Sequence, residues 1–528
     1  MNDQAVHESP DSTAVETQQF RSQVGHISRH SGVFFLGTLF TAGLSYIFKI
    51  YLARKLGAEG LGIYALGMTL VGFLGVFNSL GLPESALRFG SLYRATQQPE
   101  KLRALLFWGG AILLTANLVS ALIFLPVGRI IALRFYHSPG VAQYLPWFLG
   151  VMLLGTISVF YNRILAGYKA VGQRTVINNF IGSPATMLLT VLLIGLGWGL
   201  TGYLLAHILS GALVIVLLLL FVWKLTPKEA RVLLPLPAFL ERQVWSFSAA
   251  AAGILLLEYL MAQVDKIALG FYLDPRSVGI YSVSAAVVAY ETLILNSVNQ
   301  VFSPIIADLH SRGDSAMLER LYKSLTKWVF GLTLPLAITV MVFAHPILRM
   351  FGHDFEAGWP ILIIGTVGQL VNCGVGSVGL LLMMSGNQRR LLKVQTYMAL
   401  VMAIGNVVFI PVWGIVGAAV ASAITNAGLN MWNLLNVRKA LGLSPFSRSF
   451  ARLLSPALAS TLLALILGRE QNLFRHDWIA IGVSVVAIYG AFAAVTAALG
   501  LDADDRLIMR AMWNRIRRPA PAVSGMES

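Results

Sequence analysis

The chain is poor in charge and almost without cysteine: charged residues make up 12% of its 528 positions, and Cys373 is the one thiol. A single cysteine excludes an intramolecular disulfide, and beside Gly374 and Gly376 it reads as part of a close-packed helix without a redox role. The sequence also lacks a phosphate-binding loop, a His-Glu-x-x-His pair and any Cys/His cluster. Energy from bound nucleotide and chemistry at a resident metal are therefore unsupported, no cofactor is expected, and the chain does not read as an enzyme. Alternating segments of roughly ten residues are missing as well, which excludes a strand-built barrel. Asp502-Ala-Asp504-Asp505 imitates a glycosyltransferase carboxylate pair. It stands alone, at a position where acidic residues favour a helix start.

What the chain has is apolar sequence. Hydrophobic residues reach 56% and the mean hydropathy is +0.72, values that belong in a bilayer. Segments of about 20 apolar residues, the length a spanning helix needs, fall near 31–53, 61–82, 104–126, 141–168, 175–199, 200–224 and 244–272. Seven more follow near 279–307, 328–351, 359–384, 391–413, 414–437, 453–468 and 478–500. The expected fold is an all-α integral membrane protein with 14 transmembrane helices, because helices satisfy their own backbone hydrogen bonds in lipid.

The net charge of +15 is mostly topological. Of 39 basic residues, 29 lie in the two tails and the even-numbered loops and 9 in the odd-numbered ones. By the positive-inside rule both termini are cytoplasmic. A nucleic-acid partner is not indicated, since these charges are spread over many loops and not gathered on one element. Residues 1–30 form a cytoplasmic tail expected to be disordered; its first 25 residues lack the apolar core of a signal peptide. The basic tail 501–528 opens with the amphipathic stretch Asp505–Arg518, which either lies on an anionic leaflet or is a solvated helix.

The chain contains itself twice. Tyr51-Leu-Ala-Arg-Lys-Leu-Gly-Ala-Glu-Gly-Leu-Gly-Ile-Tyr64 returns as Ala268-Leu-Gly-Phe-Tyr-Leu-Asp-Pro-Arg-Ser-Val-Gly-Ile-Tyr281, a shift of 217 residues. Gln173-Arg174 and Trp198-Gly199 return as Gln388-Arg389 and Trp413-Gly414, a shift of 215. Six spans separate equivalent positions, and an even number gives both copies the same orientation. Two pseudo-symmetric six-helix lobes are expected, at 31–224 and 244–437, with two extra C-terminal helices in 453–500. Duplicated helical units of this kind are characteristic of transporters. The odd-numbered loops are too short to hold an external catalytic domain.

These segments resemble the polysaccharide-export flippases (O-antigen and exopolysaccharide type) of the multidrug/oligosaccharidyl-lipid/polysaccharide exporter superfamily. The residues that carry the resemblance are Leu52-Ala-Arg54-Lys-Leu-Gly57 leading into Gly62-Ile-Tyr64, then Gly81-Leu82 with Arg88-Phe89, and Asp265-Lys-Ile with Gly279-Ile-Tyr281. The resemblance implies a V-shaped, two-lobe transporter of the bacterial inner membrane. Its substrate would be an undecaprenyl-diphosphate-linked oligosaccharide, moved from the cytoplasmic to the outer leaflet by alternating access for surface polysaccharide export. Membrane lipids, and polysaccharide polymerase machinery downstream, are the implied partners. A cation-coupled multidrug exporter of the same superfamily is the alternative. The basic pattern of the peptidoglycan-precursor flippases is matched only loosely, by Lys49.

A charge inside a span costs on the order of 3 kcal/mol, so each needs a reason. Lys49 shifted by 217 lands on Lys266, and Lys49 extends a polar stripe, Thr38-Thr41-Ser45-Lys49, on one helical face. Paired ammonium groups at matched depth could bind a diphosphate; alternatively both snorkel to the interface, or Lys266 pairs with Asp265. Arg88 and Arg163, near cytoplasmic span ends, either receive the lipid's phosphates or anchor at the interface. Glu258 and Asp265, seven residues apart on span 7, and Glu291 in span 8 are candidates for coupling transport to protons or sodium, or structural partners of the lysines. His207 reads either as a proton relay or as a satisfied polar group.

Overall fold

The computed structural model describes residues 10–231, 238–469, 477–500, 502, 505 and 506. In chain order its α-helices are α1 (Pro10–Asn78), α2 (Leu82–Ala95), α3 (Pro99–Arg134), α4 (Pro139–Gly167), α5 (Val171–Thr175), α6 (Ser183–Gly195), α7 (Gly199–Leu225), α8 (Arg242–Tyr272), α9 (Pro275–Ala289) and α10 (Leu293–Ser311). They continue as α11 (Ser315–Val342), α12 (Ala344–Arg349), α13 (Trp359–Val375), α14 (Val378–Met384), α15 (Gln388–Trp413), α16 (Ile415–Leu441), α17 (Arg448–Ala451), α18 (Leu454–Arg469) and α19 (Asp477–Ala498). No strand occurs among the described residues. Thirteen of their helical segments are long and apolar enough to cross a membrane. The spans expected at 31–53 and 61–82 share α1, which breaks at Gly57 (φ 69°, ψ 177°). That left-handed φ is open to glycine at no steric cost. At the equivalent place in the second copy, α8 ends and Asp274 accepts a hydrogen bond from the Ser277 amide at 2.9 Å, starting α9 on Pro275.

The chain divides into two compact units. The first comprises Tyr51–Ser282 and Asn406–Ile415. Its core lies where α2, α3, α4, α7 and α8 meet, around Phe89, Leu105, Phe160, Leu218 and Val244. Leu82-Pro83 opens α2 with proline in the first turn, where its missing N–H costs nothing, and Glu84 sits in the same turn, favoured by the helix dipole. Small residues let backbones touch, as expected where lipid supplies no hydrophobic drive between helices. A β-carbon on Gly62 would lie 1.6 Å from the Pro275 carbonyl oxygen, and one on Gly279 would lie 1.9 Å from that of Ala58. Ala58 and Pro275, like Gly62 and Gly279, are 217 residues apart, so the two copies of the repeated motif pack against each other reciprocally.

The second unit comprises Met1–Ile50, Val283–Gly405 and Val416–Ser528. Phe302, Leu318, Leu321, Leu381 and Val437 form its core, and the buried Tyr322 hydroxyl donates to the Val375 carbonyl at 2.7 Å. The α18–α19 hairpin is fastened to α11. Tyr489 donates to the Leu332 carbonyl at 2.8 Å, and beyond α19 the carboxylates of Asp502 and Asp505 flank the Lys327 ammonium at 2.8 and 2.5 Å. The Trp328 indole donates to Asp505 at 3.1 Å, and Arg452 pairs with Asp502 at 3.1 Å. The Lys327 hydrogen bond holds the Asp502 carboxyl below its ordinary range.

Candidate functional site

In the first unit, α8 carries a compact polar group. Three residues apart on one helical face, Gln263 accepts a hydrogen bond from Lys266 Nζ at 2.8 Å. The adjacent Asp265 is buried and turned to α9, where the Tyr281 hydroxyl donates to its Oδ2 at 2.8 Å. Lys266 and Asp265 therefore do not neutralise one another: the carboxylate is taken by a phenol, and the ammonium meets only a neutral amide among the described residues. Glu258, seven residues earlier, is exposed. Its neighbour Tyr259 reaches the Thr69 carbonyl at 2.8 Å, which fixes α8 against α1.

Arg88 and Arg163 lie on α2 and α4. Arg163 pairs with Glu84 at 2.7 Å. Arg88 is exposed and stacks over the Phe247 ring at 4.6 Å, the geometry of a cation–π contact. Next to Arg163, Asn162 and Asn178 exchange amide hydrogen bonds, the shorter at 2.7 Å. Asn178 lies in a π-helical turn, Val176–Gly182, a feature often associated with functional sites. His207 Nδ1 lies 3.1 Å from the Tyr203 carbonyl, one turn back, and its ring packs edge-on to Tyr203.

In the second unit the Lys49 ammonium lies over the Tyr290 ring, 5.4 Å from its centroid, and Tyr46 packs edge-on against the same ring and against Phe351. Glu291 follows in a short 3-10 turn, Tyr290–Thr292, that interrupts the run from α9 to α10. It is 1% exposed; Thr366 donates to its Oε1 at 2.6 Å, while its Oε2 has no partner among the described residues. The structure thus gathers Asp265 and Lys266 with Gln263 and Tyr281 in one unit; in the other it sets Lys49 against Tyr290 and, one residue on, Glu291 against Thr366. Arg163 it gives to Glu84, and Glu258 to the surface. Gln263, Tyr281, Thr366 and the Asn162–Asn178 pair are absent from the sequence-based site. The amides could have been found as polar residues inside apolar runs; the hydroxyl partners leave no such signal.

A helical bundle with cations and carboxylates set within its spans, and short connections between them, defines a multi-pass membrane transporter rather than an enzyme. The family model described as "Polysaccharide biosynthesis protein" matches residues 27–310, and the chain belongs to that family; the MatE family model matches residues 250–412. The chain is 24% identical over 411 residues to the "Probable low-salt glycan biosynthesis flippase Agl15" of Haloferax volcanii, covering 76% of this chain and 81% of that one. Among solved structures, the inward closed lipid II flippase MurJ superposes with a TM-score of 0.63 at 14% identity, over 88% of this chain and 98% of that one. An inward-facing multidrug resistance MATE transporter of the MOP superfamily also gives 0.63 at 14% identity, over 75% and 94%. These likenesses establish the shared fold.

Proposed function

We propose that the protein flips an undecaprenyl-diphosphate-linked oligosaccharide from the cytoplasmic to the outer leaflet for surface polysaccharide export. The lobes 31–224 and 244–437 rock to open the path to each side in turn, in a bacterial inner membrane with both termini cytoplasmic. The family match and the glycan flippase among its relatives support this reading. The observation that carries it is Lys266, a cation within a span whose ammonium is held by an amide and not by a carboxylate. No carboxylate competes for such a group, which leaves it available to an anionic ligand, and a diphosphate gains from charge-assisted hydrogen bonds where water is scarce. In the other unit, Lys49 over the Tyr290 ring is a further cation for a ligand of this class; Arg88 and Arg163 meet the phosphates on arrival, and the glycan hydroxyls suit amides such as Asn162 and Asn178.

Coupling is assigned to Glu291, with Asp265 and Glu258 as further carboxylates. Its partnerless Oε2 in a buried setting is what a proton or sodium ion would satisfy. The same observation favours a second reading, a cation-coupled multidrug exporter. The two separate in liposomes containing a fluorescent undecaprenyl-diphosphate oligosaccharide. Wild type flips it, and the Lys49→Gln/Lys266→Gln variant, at matched insertion, falls by about tenfold or more, the scale of one lost charge-assisted hydrogen bond. Equal flipping by both proteins discards the lysine assignment. Failure of both, with cation-driven export of a dye retained, selects the exporter.

A further inference from the structure

Away from these groups, the first unit holds a cavity of about 510 Å³ between α3, α4 and α7, a size suited to a ligand. Its walls are apolar, among them Leu106, Leu114 and Leu219, and its rim includes the exposed Trp223. Two arginines stand at one end. Arg231 is fixed at the C-terminal end of α7 by hydrogen bonds to the Thr226 and Lys224 carbonyls, both 2.7 Å. Arg103 lines this cavity and also a second one, of about 400 Å³, that contains Tyr93, Lys101 and Glu241. Its Nε and Nη2 are buried and have no hydrogen-bond partner among the described residues. The nearby carboxylates do not supply one: Glu241 is engaged by Lys101 at 2.8 Å and by the Tyr93 hydroxyl at 3.0 Å, and Glu100 is exposed.

A buried guanidinium edge without an acceptor is costly, and the bidentate fork of arginine matches a phosphate. We infer that this groove is a binding site for an anionic glycerophospholipid, its acyl chain in the apolar cavity and its phosphate at Arg103 and Arg231. A soluble anion would leave the apolar walls without a purpose. A zwitterionic headgroup would bring an ammonium toward Lys101 and both arginines. The arginines lie at the end of the bundle where the α2–α3 and α7–α8 connections concentrate basic residues, the end that the charge distribution assigns to an anionic leaflet. The site is separate from the lysines of the proposed flipping path, so it stands or falls independently of them.

The test uses the full chain in phosphatidylcholine vesicles, with Trp223 fluorescence isolated as the difference between wild type and Trp223→Phe. Brominated phosphatidylglycerol quenches this component with about tenfold higher apparent affinity than brominated phosphatidylcholine. Arg103→Gln removes the preference. Ala111→Phe, which fills the groove without adding a tryptophan and leaves both arginines in place, lowers quenching by either lipid. Equal quenching by the two lipids in wild type, or an unchanged preference in Arg103→Gln, overturns the inference. So does loss of the preference on adding inorganic phosphate, which would mark a free-anion site, or on adding undecaprenyl phosphate at equal mole fraction, which would make the carrier the occupant.

Discussion

A methyl group has no room at Gly62 or at Gly279, because a backbone carbonyl already occupies the place where its carbon would sit. Gly62→Ala and Gly279→Ala should each destabilise the protein by about 1–3 kcal/mol, the range for overpacking, and by similar amounts, since the contacts are reciprocal. Thermal unfolding in detergent checks both; a neutral Gly279→Ala would contradict the packing. Glu291 is the other residue whose chemistry stands alone. Glu291→Gln keeps an acceptor for Thr366 but cannot take up and release a cation. Substrate exchange without a gradient should persist, while acceleration by an imposed proton or sodium gradient disappears. Vesicle assays with and without the gradient separate the two.

Among the helices, α11 is where the C-terminal hairpin is tied down. Lys327 is 13% exposed and Asp505 8%, so removing the cation leaves the buried Asp505 carboxylate without its ammonium partner. Lys327→Met should cost about 3 kcal/mol, the cost of breaking a buried pair, and should loosen α18 and α19 before the rest of the fold. Hydrogen exchange on those two helices is the measurement. Acid should do the same more gently. The folded Asp502 carboxyl lies below its ordinary 3.8, so its contribution is complete above that value and fades as pH falls through the lower, folded one. Lys327→Met should flatten this acid limb. None of this was legible in the sequence, where Asp502 and Asp505 read as helix-start residues. Lys327 and Asp505 are 178 residues apart, and no periodicity connects them.

For the molecule as a whole, the apolar runs were the legible part. Spans expected at 200–224, 244–272 and 391–413 are found as α7, α8 and α15 with ends shifted by only a few residues, because length and hydropathy alone decide whether a segment can lie in lipid. The break at Gly57 was less legible: two expected spans share one long helix, and only a left-handed glycine marks the division. The candidate site residues stood out by their charge, but their hydrogen-bond partners did not, since Gln263, Tyr281 and Thr366 look ordinary until the chain is folded. The repeat was visible for a reason that the packing of Gly62 on Pro275 and of Gly279 on Ala58 explains. After a gene duplicates, its two halves drift apart wherever each is free to change. Here each half is the other's mould, so a change in one is felt by both. Gly62 and Gly279 are alike for that structural reason: neither can gain a side chain without displacing the backbone of the other copy.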